Sequence, residues 1–422
     1  MNTSIENLFL PPALITSLGL MLAGQASAQT LTTLHSFSGN DGAGPNGLIL
    51  SGNTLYGATA GSTTFGQGTV FAVRADGSGF STLYAFSGND GAWPNGLILS
   101  SNSLYGTTYT GGDSAAGTVF TLNTDGTGFT RLYSFSAGTW DSSGSAYVNS
   151  DGAFPSGGLV LSSNTLYGTT GFGGTSGEGT VFGVNTDGTG FTTLHAFTAI
   201  SASYPYGNSD GAFLQAGLIL LGDSLYGMAH QGGSANHGTV FKVNTDGTGF
   251  RTLHSFPSIH SVAIPSVWVL LNNALYGTTI SGPVYEAGTV FALNTNGTGF
   301  TTLYSFTALN NGTNSDGAGP SGLVLSGNSL YGTAGVGGNV GGGTIFSILL
   351  PVSPPQLTII SAGANIILTW PTNAAGFTLQ STTNLVSSSV WTTNSPPPVL
   401  VNGQNTVTNP ISGAQQFYRL SH

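Results

Sequence analysis

Three features of the sequence predict an all-β chain. First, one element recurs six times, its Leu-Tyr-Gly motif falling at Leu55, Leu104, Leu166, Leu225, Leu275 and Leu330, with spacings of 49, 62, 59, 50 and 55 residues. Second, every complete copy holds four short runs of Val, Thr, Tyr, Phe and Leu between Gly, Asn, Asp and Ser, the composition of strands separated by turns. Third, the copies are out of phase with the ends. The first run, Leu31–Phe37, is a fourth strand with no third before it, and the last, Gly343–Leu350, is a third with no fourth after it. A period near 50 with four strands per unit is the signature of propeller blades. The fold expected is a six-bladed β-propeller closed by the N-terminal strand, plus a small C-terminal β-sandwich.

The chain begins with an apolar stretch from Leu8 to Ala23, followed by Ala26-Ser27-Ala28 and Gln29. A small-x-small triplet after such a stretch reads as a secretory signal peptide over residues 1–28. It departs from the usual pattern in carrying Glu6 and no Lys or Arg ahead of the apolar run. A buried N-terminal helix is the alternative, disfavoured by Pro11-Pro12.

Residues 29–350 are assigned to the propeller. In the second copy the strands, called a to d, are Leu97–Leu99, Leu104–Tyr105, Thr118–Leu122 and Phe129–Phe135. Asn102 lies in the a–b turn, and Asp125-Gly126 makes the c–d junction a strong hairpin signal. From the residue after Leu-Tyr-Gly to the Phe of Gly-Thr-Val/Ile-Phe the count is 14 in all six copies. The d-to-a connection varies instead. Phe86 to Asp90 is short, whereas Phe135 to Asp151 and Phe197 to Asp210 are long. Alternating strand direction puts the b–c and d–a loops on one face, so the variation collects where binding loops accumulate. Pro-rich residues 351–355 form a stiff linker. Residues 356–422 show short alternating strands, with Trp370 and Tyr418 as core aromatics.

Composition limits the function. The chain has a formal charge of −10 with only five Lys and Arg, which argues against nucleic acid, a ligand bound by neutralising phosphates. Beyond the N-terminus no apolar run reaches the roughly 18 residues of a membrane span, so no transmembrane segment is expected after signal cleavage. Cysteine is absent, which says nothing of the redox compartment.

The ordered elements Leu-Tyr-Gly-Thr-Thr, Gly-Gly, Gly-Thr-Val-Phe, Asn-Thr-Asp-Gly-Thr-Gly-Phe and Leu-Tyr-Ser-Phe resemble the Gloeo/Verruco (GloVer) tandem repeat family over about residues 31–350. The resemblance implies an exported bacterial protein of unknown biochemical role, whose relatives carry varied C-terminal attachment modules. The tail resembles the short fibronectin-like domains that end many secreted bacterial proteins. Copy 5 departs by lacking the Asp-Gly-Ala element, and no sorting motif or hydrophobic anchor follows Leu420.

Two sets of residues are candidates for chemistry. Asp41, Asp90, Asp151, Asp210 and Asp316 open the Asp-Gly-Ala elements. In a ring they could converge on the variable face and hold Ca²⁺, a cation that takes oxygen ligands. The preferred reading is a turn-forming Asp before each strand a, with no cofactor. Asp76, Asp125, Asp187, Asp246 and Asn296 sit in the c–d turns and are read as structural. His230 and His237 share one b–c loop, but their spacing matches no zinc pattern. Glu178 and Glu286 border Gly-Thr-Val-Phe in two loops, and no Gly-x-Ser-x-Gly, Walker or His-Glu-x-x-His motif occurs. Trp93, Phe154 and Phe213 are loop aromatics outside the strands. The long insertions carry Trp140, Tyr147, Tyr204 and Tyr206, with Asp141, Asn149 and Asn208 as hydrogen-bonding partners. Aromatics among such residues suit stacking on sugar. The expectation is a monomeric, secreted or cell-surface scaffold, not an enzyme, that binds polysaccharide or a surface protein. The rivals are a hydrolase or lyase using the Asp ring with a cation, and a purely structural surface-layer component.

Overall fold

A computed structural model describes residues 33–37, 41–61, 66–140, 146–201, 206–256, 268–271, 273–280, 287–326, 328–350, 357–371, 377–383, 390–393, 397–401, 404–411 and 416–421. The expected signal peptide and linker lie outside them. Every element among the described residues is a strand or a bridge, and all strand ladders are antiparallel.

Five sheets repeat one order, a-b-c-d, and a sixth has a-b-c. In the first, a is Pro45–Ser51, b Thr54–Thr59, c Thr69–Arg74 and d Ser81–Ala85. In the second, a is split into Ala92–Pro94 and Ile98–Ser100, before Ser103–Thr110, Thr118–Asn123 and Thr130–Ser134. The third repeats this split with Ala153–Pro155 and Val160–Ser162, then Thr165–Phe172, Thr180–Asn185 and Thr192–Ala196. The fourth and fifth begin at Ile219–Leu221 and Val269–Leu271. The sixth has three strands, Ala318–Ser326, Ser329–Val336 and Thr344–Leu349.

The local chemistry explains the repetition. The c–d turns are Asx turns as expected: Asp125 Oδ1 accepts from Thr127 N (2.9 Å) and Thr127 Oγ1 (2.6 Å). Asn296 makes the same pair of bonds with Thr298, so turn chemistry survives loss of the charge. A bulge between Val119 and Phe120 in the c–d ladder recurs in the first five sheets and increases their twist.

Neighbouring sheets pack face to face. Between the second and third, Val119 and Phe135 meet Leu166, Phe182 and Val184, all fully buried. Equivalent clusters join first to second, third to fourth, fourth to fifth and fifth to sixth. A ring stack adds to the first four of these steps. The d-strand Tyr133 lies flat on Phe191 of the next repeat, with centroids 3.7 Å apart, and Tyr84 on Phe129 at 3.9 Å. His35, His195 and His254, which replace Tyr, stack likewise on Phe80, Phe250 and Phe300.

The ends of the array behave differently. Residues 33–37 pack on the first sheet as a d strand packs on the next repeat, yet they form no ladder with Thr344–Leu349. Closure by an N-terminal strand is therefore absent among the described residues, and the sixth sheet keeps an open edge.

The C-terminal part forms two small sheets around Leu368, Trp370, Leu379 and Val407. Trp370 is central to this core, while Tyr418 is half-buried at its margin.

Candidate binding face

The Asp-Gly-Ala carboxylates do not converge. Among the described residues no group of three His, Cys, Asp or Glu is placed to hold a metal. Each Asp instead locks the d–a turn of its own repeat. Tyr84 Oη donates to Asp90 at 2.5 Å, while Ser87 N and Ser87 Oγ donate to its other oxygen at 2.8 and 3.0 Å. Asp151 takes the same three kinds of bond from Tyr133 and Ser136. Asp316 takes them from Tyr304 and Thr307. In the first and fourth repeats the ring donor is His35, at 2.7 Å from Asp41, or His195, at 3.0 Å from Asp210. The Asx turn expected at each Asp would take its donor from two residues later, whereas the donors here come from three to 18 residues earlier. Sequence alone could not supply that, because the Tyr and Asp are joined by a loop of variable length.

Burial alone would raise the Asp90, Asp210 and Asp316 carboxyls, but the donated hydrogen bonds outweigh it and hold them below the usual carboxylate range. The partner phenols of Tyr84 and Tyr133 are pushed well above their ordinary range by burial and by the adjacent carboxylate. Near neutral pH these carboxylates are charged acceptors and these phenols neutral donors. Copy 5 has Ser261 in place of Asp, a position outside the described residues. His254 Nε2 is buried with no hydrogen-bond partner among the described residues, and burial lowers its pKa.

The insertion of the third repeat forms its own hairpin, Thr139–Trp140 with Tyr147–Val148. Trp140 is 50% exposed, and Tyr147, edge-on to it at 5.1 Å, is buried. Tyr147 Oη accepts from Gly138 N at 2.8 Å, which braces the hairpin. Asn149 and Asn208 are also braces. Asn149 Nδ2 donates to the Ser136 and Gly152 carbonyls, and its Oδ1 accepts from Gly152 N and Gly174 N. Asn208 repeats the pattern with Thr198, Gly211 and Gly233. Both amide groups, expected to meet a ligand, are engaged by the loop backbone. Tyr206 is exposed, whereas Tyr204 and Asp141 lie outside the described residues.

The sequence reading underused a set of rings beside Trp140. Trp93 is stacked on Tyr109, with centroids 6.1 Å apart, and Tyr109 leads to Phe154 at 5.4 Å. Phe154 is stacked against Trp140 at 6.1 Å and meets Phe172 edge-on at 5.8 Å, and Phe172 meets Phe213 at 4.8 Å. The row crosses from the second sheet to the fourth on the d–a face. The signal was the residue after Asp-Gly-Ala, which is Trp93, Phe154 or Phe213 in these repeats.

A family model, the Gloeobacter/Verrucomicrobia repeat, matches residues 19–211 and 203–362. The chain belongs to this family. No curated protein matches this Gloeobacter/Verrucomicrobia repeat chain. Among solved structures it is similar to a nidogen/laminin complex at 14% identity and TM-score 0.37, over 59% of this chain and 75% of that one. It is also similar to a puromycin-hydrolysing peptidase of Mycobacterium tuberculosis, at 12% identity and TM-score 0.44, over 78% and 49% of the two chains. TolB from Acinetobacter baumannii gives 8% identity and TM-score 0.35, over 72% and 57%. Likenesses of this size assign no activity. Among the described residues no helix is long and apolar enough to cross a membrane.

Proposed function

We propose that this repeat protein is an exported binding or adhesion scaffold, a six-bladed propeller whose d–a face holds glycan or another surface protein. The observation that carries the reading is the braced hairpin at Trp140. A half-exposed indole stands on a buried Tyr147, between loops pinned by Asn149. Rigid aromatic support of this kind favours recognition, because little side-chain freedom is lost on binding. The enzyme reading is less favoured, since each Asp of the supposed ring is engaged within its own turn. A purely structural surface-layer role remains the other reading.

Ring closure is part of the proposal. The uncovered face of the first sheet presents Leu48 and Leu50, 64% and 60% exposed, beside a cavity of about 420 Å³ lined by Leu34, His35, Phe37 and Phe71. The uncovered face of the sixth presents Val324, Tyr331 and Ile345. These are the positions that pack together at every internal junction. The αL residues offer a second complement: Trp93 N donates to Gln67 O and Gly319 N to Ala287 O, a pattern that would carry Gly44 N to Gly342 O. In the closed ring residues 31–37 supply the missing d strand, the sheet edge disappears, and the fibronectin-like tail follows as a separate attachment module.

The test is retention of the secreted chain on immobilised polysaccharide and on purified cell envelope. Retention by either, reduced by Trp140→Ala at unchanged melting temperature, supports the reading. A chain that is retained by neither loses it.

A further inference from the structure

Trp93, Phe154 and Phe213 have φ values of 58°, 56° and 55°. A bulky aromatic in the left-handed region is an outlier, since its Cβ crowds its own backbone. The same position in the first and sixth repeats is Gly44 and Gly319, at φ 63° and 64°, where no Cβ exists. The backbone task there does not require a ring. Trp93 N, Phe154 N, Phe213 N and Gly319 N each donate to the residue before Gly-Thr-Val-Phe in the preceding sheet, at 2.7, 2.8, 3.1 and 2.9 Å. Glycine makes that link as well as tryptophan does. Three consecutive repeats thus keep an aromatic where the local conformation opposes it, and strain retained in this way points to function.

Resting on the binding reading above, we infer that the row Trp93–Tyr109–Phe154–Trp140, continued by Phe172 and Phe213, is a track for an extended neutral polysaccharide. Trp93 and Trp140 are the exposed platforms, at 47% and 50%. Each lies nearly parallel to a half-buried ring, Trp93 at 15° to Tyr109 and Trp140 at 21° to Phe154. Trp93 Nε1 donates to Gly66 O at 3.1 Å, which fixes the plane of its indole before any ligand arrives. The electron-rich ring faces attract the partly positive C–H edges of a pyranose. Consecutive rings lie 4.8–6.1 Å apart, so one linear chain can touch several. A row one ring wide suits a chain better than a protein, whose stable interface needs about 800 Å² per partner.

The neutrality of the ligand follows from charge. The protein carries −10 overall, and a polyanion would be repelled. Arg131, on the second sheet, is tied to Asp113 at 2.8 Å and to Asn89 O at 2.8 Å.

Affinity electrophoresis of the full secreted chain tests this, using gels cast with hydroxyethylcellulose, xylan, mannan or alginate. The expected result is retardation by at least one neutral polymer and none by alginate. Trp93→Gly and Trp140→Ala should each weaken it at least about tenfold. The Gly variant should melt no lower than the parent, and Trp93→Phe should keep part of the binding. If the parent and both variants are retarded equally, the track is wrong and the scaffold reading stands. Capture of a purified surface protein by a chain that ignores every polysaccharide overturns the glycan inference alone. Stronger retardation by alginate overturns it too. A lower melting temperature for both Trp93→Gly and Phe154→Gly would make the rings packing residues and overturn the track. A chain that binds neither polymer nor protein ends both readings.

Discussion

The second and sixth sheets are built from the same repeat, yet their corresponding residues meet different surroundings. Val119 is fully buried, and Ile345, at the same place in Gly-Thr-Val/Ile-Phe, is 84% exposed. Tyr133 is stacked on the next repeat's Phe191, whereas Tyr304, on the fifth sheet and facing the sixth, stacks on no such Phe among the described residues and is 40% exposed. The sequence of a copy sets its hairpins, and the copy after it sets its burial. Stability in such an array is a sum of internal terms and junction terms.

The largest effect expected breaks or confirms that contrast directly. In a closed ring, Ile345→Asp places an unpaired carboxylate in a core and costs at least about 3 kcal/mol, read from urea denaturation. In an open array the same change stays within about 0.5 kcal/mol. Deleting residues 31–37 should act with Ile345→Asp, leaving the c strand of the sixth sheet unpaired and removing cooperative unfolding. A truncated chain that melts like the parent would place the closure elsewhere.

A smaller contrast separates two copies of one turn. Asp151 is 5% exposed and receives bonds from Tyr133 and Ser136, so Asp151→Ala should cost about 2–3 kcal/mol. Asp316 makes the same bonds at the exposed end of the array, and Asp316→Ala should cost less than about 1 kcal/mol. Equal losses would mean that Asp316 is covered in solution, as closure requires.

Acidification should separate the sheets in order. Asp90, Asp210 and Asp316 have depressed pKa values, so their stabilisation is present above the unfolded value of about 3.9 and is lost as pH falls through the folded values. His230 and His254 of the fourth repeat are also depressed, by burial. Their contribution is full above about pH 6.5 and declines as pH falls below it. Hydrogen exchange in Arg251–Ser255 should therefore rise between pH 7 and about pH 5, ahead of Thr130–Ser134. Simultaneous opening of both strands would contradict the assignment.

The smallest effect is a matched replacement. Asp125→Asn reproduces what the fifth copy already has at Asn296, and the melting temperature should not move.

Much of the fold was legible in the sequence because its signals are local. Asp-Gly turns and β-branched runs placed strands c and d of the second copy close to their observed limits, Thr118–Asn123 and Thr130–Ser134, whereas strand b runs on to Thr110 and strand a has an additional piece at Ala92–Pro94. The candidate site was less legible. At Asn149 and Asn208 composition does not reveal that the loop backbone has claimed the amides. The pairing of Tyr133 with Asp151 crosses an insertion, and the left-handed φ at Trp93 depends on a carbonyl in the preceding repeat. Each depends on a partner distant in sequence, which a periodic pattern does not encode.

The joint made by the backbone of Trp93, Phe154, Phe213 and Gly319 has a consequence for how such arrays diversify. Each neighbour is gripped through a peptide N–H, a link that glycine makes as well, and at Trp93 the indole adds a second bond from Nε1 to Gly66 O of the preceding repeat. The array behaves as a rack of identical sockets, in which glycine is the blank and an aromatic the tool. A contact row can then be lengthened, shortened or respecified one repeat at a time, with the backbone link kept through the exchange.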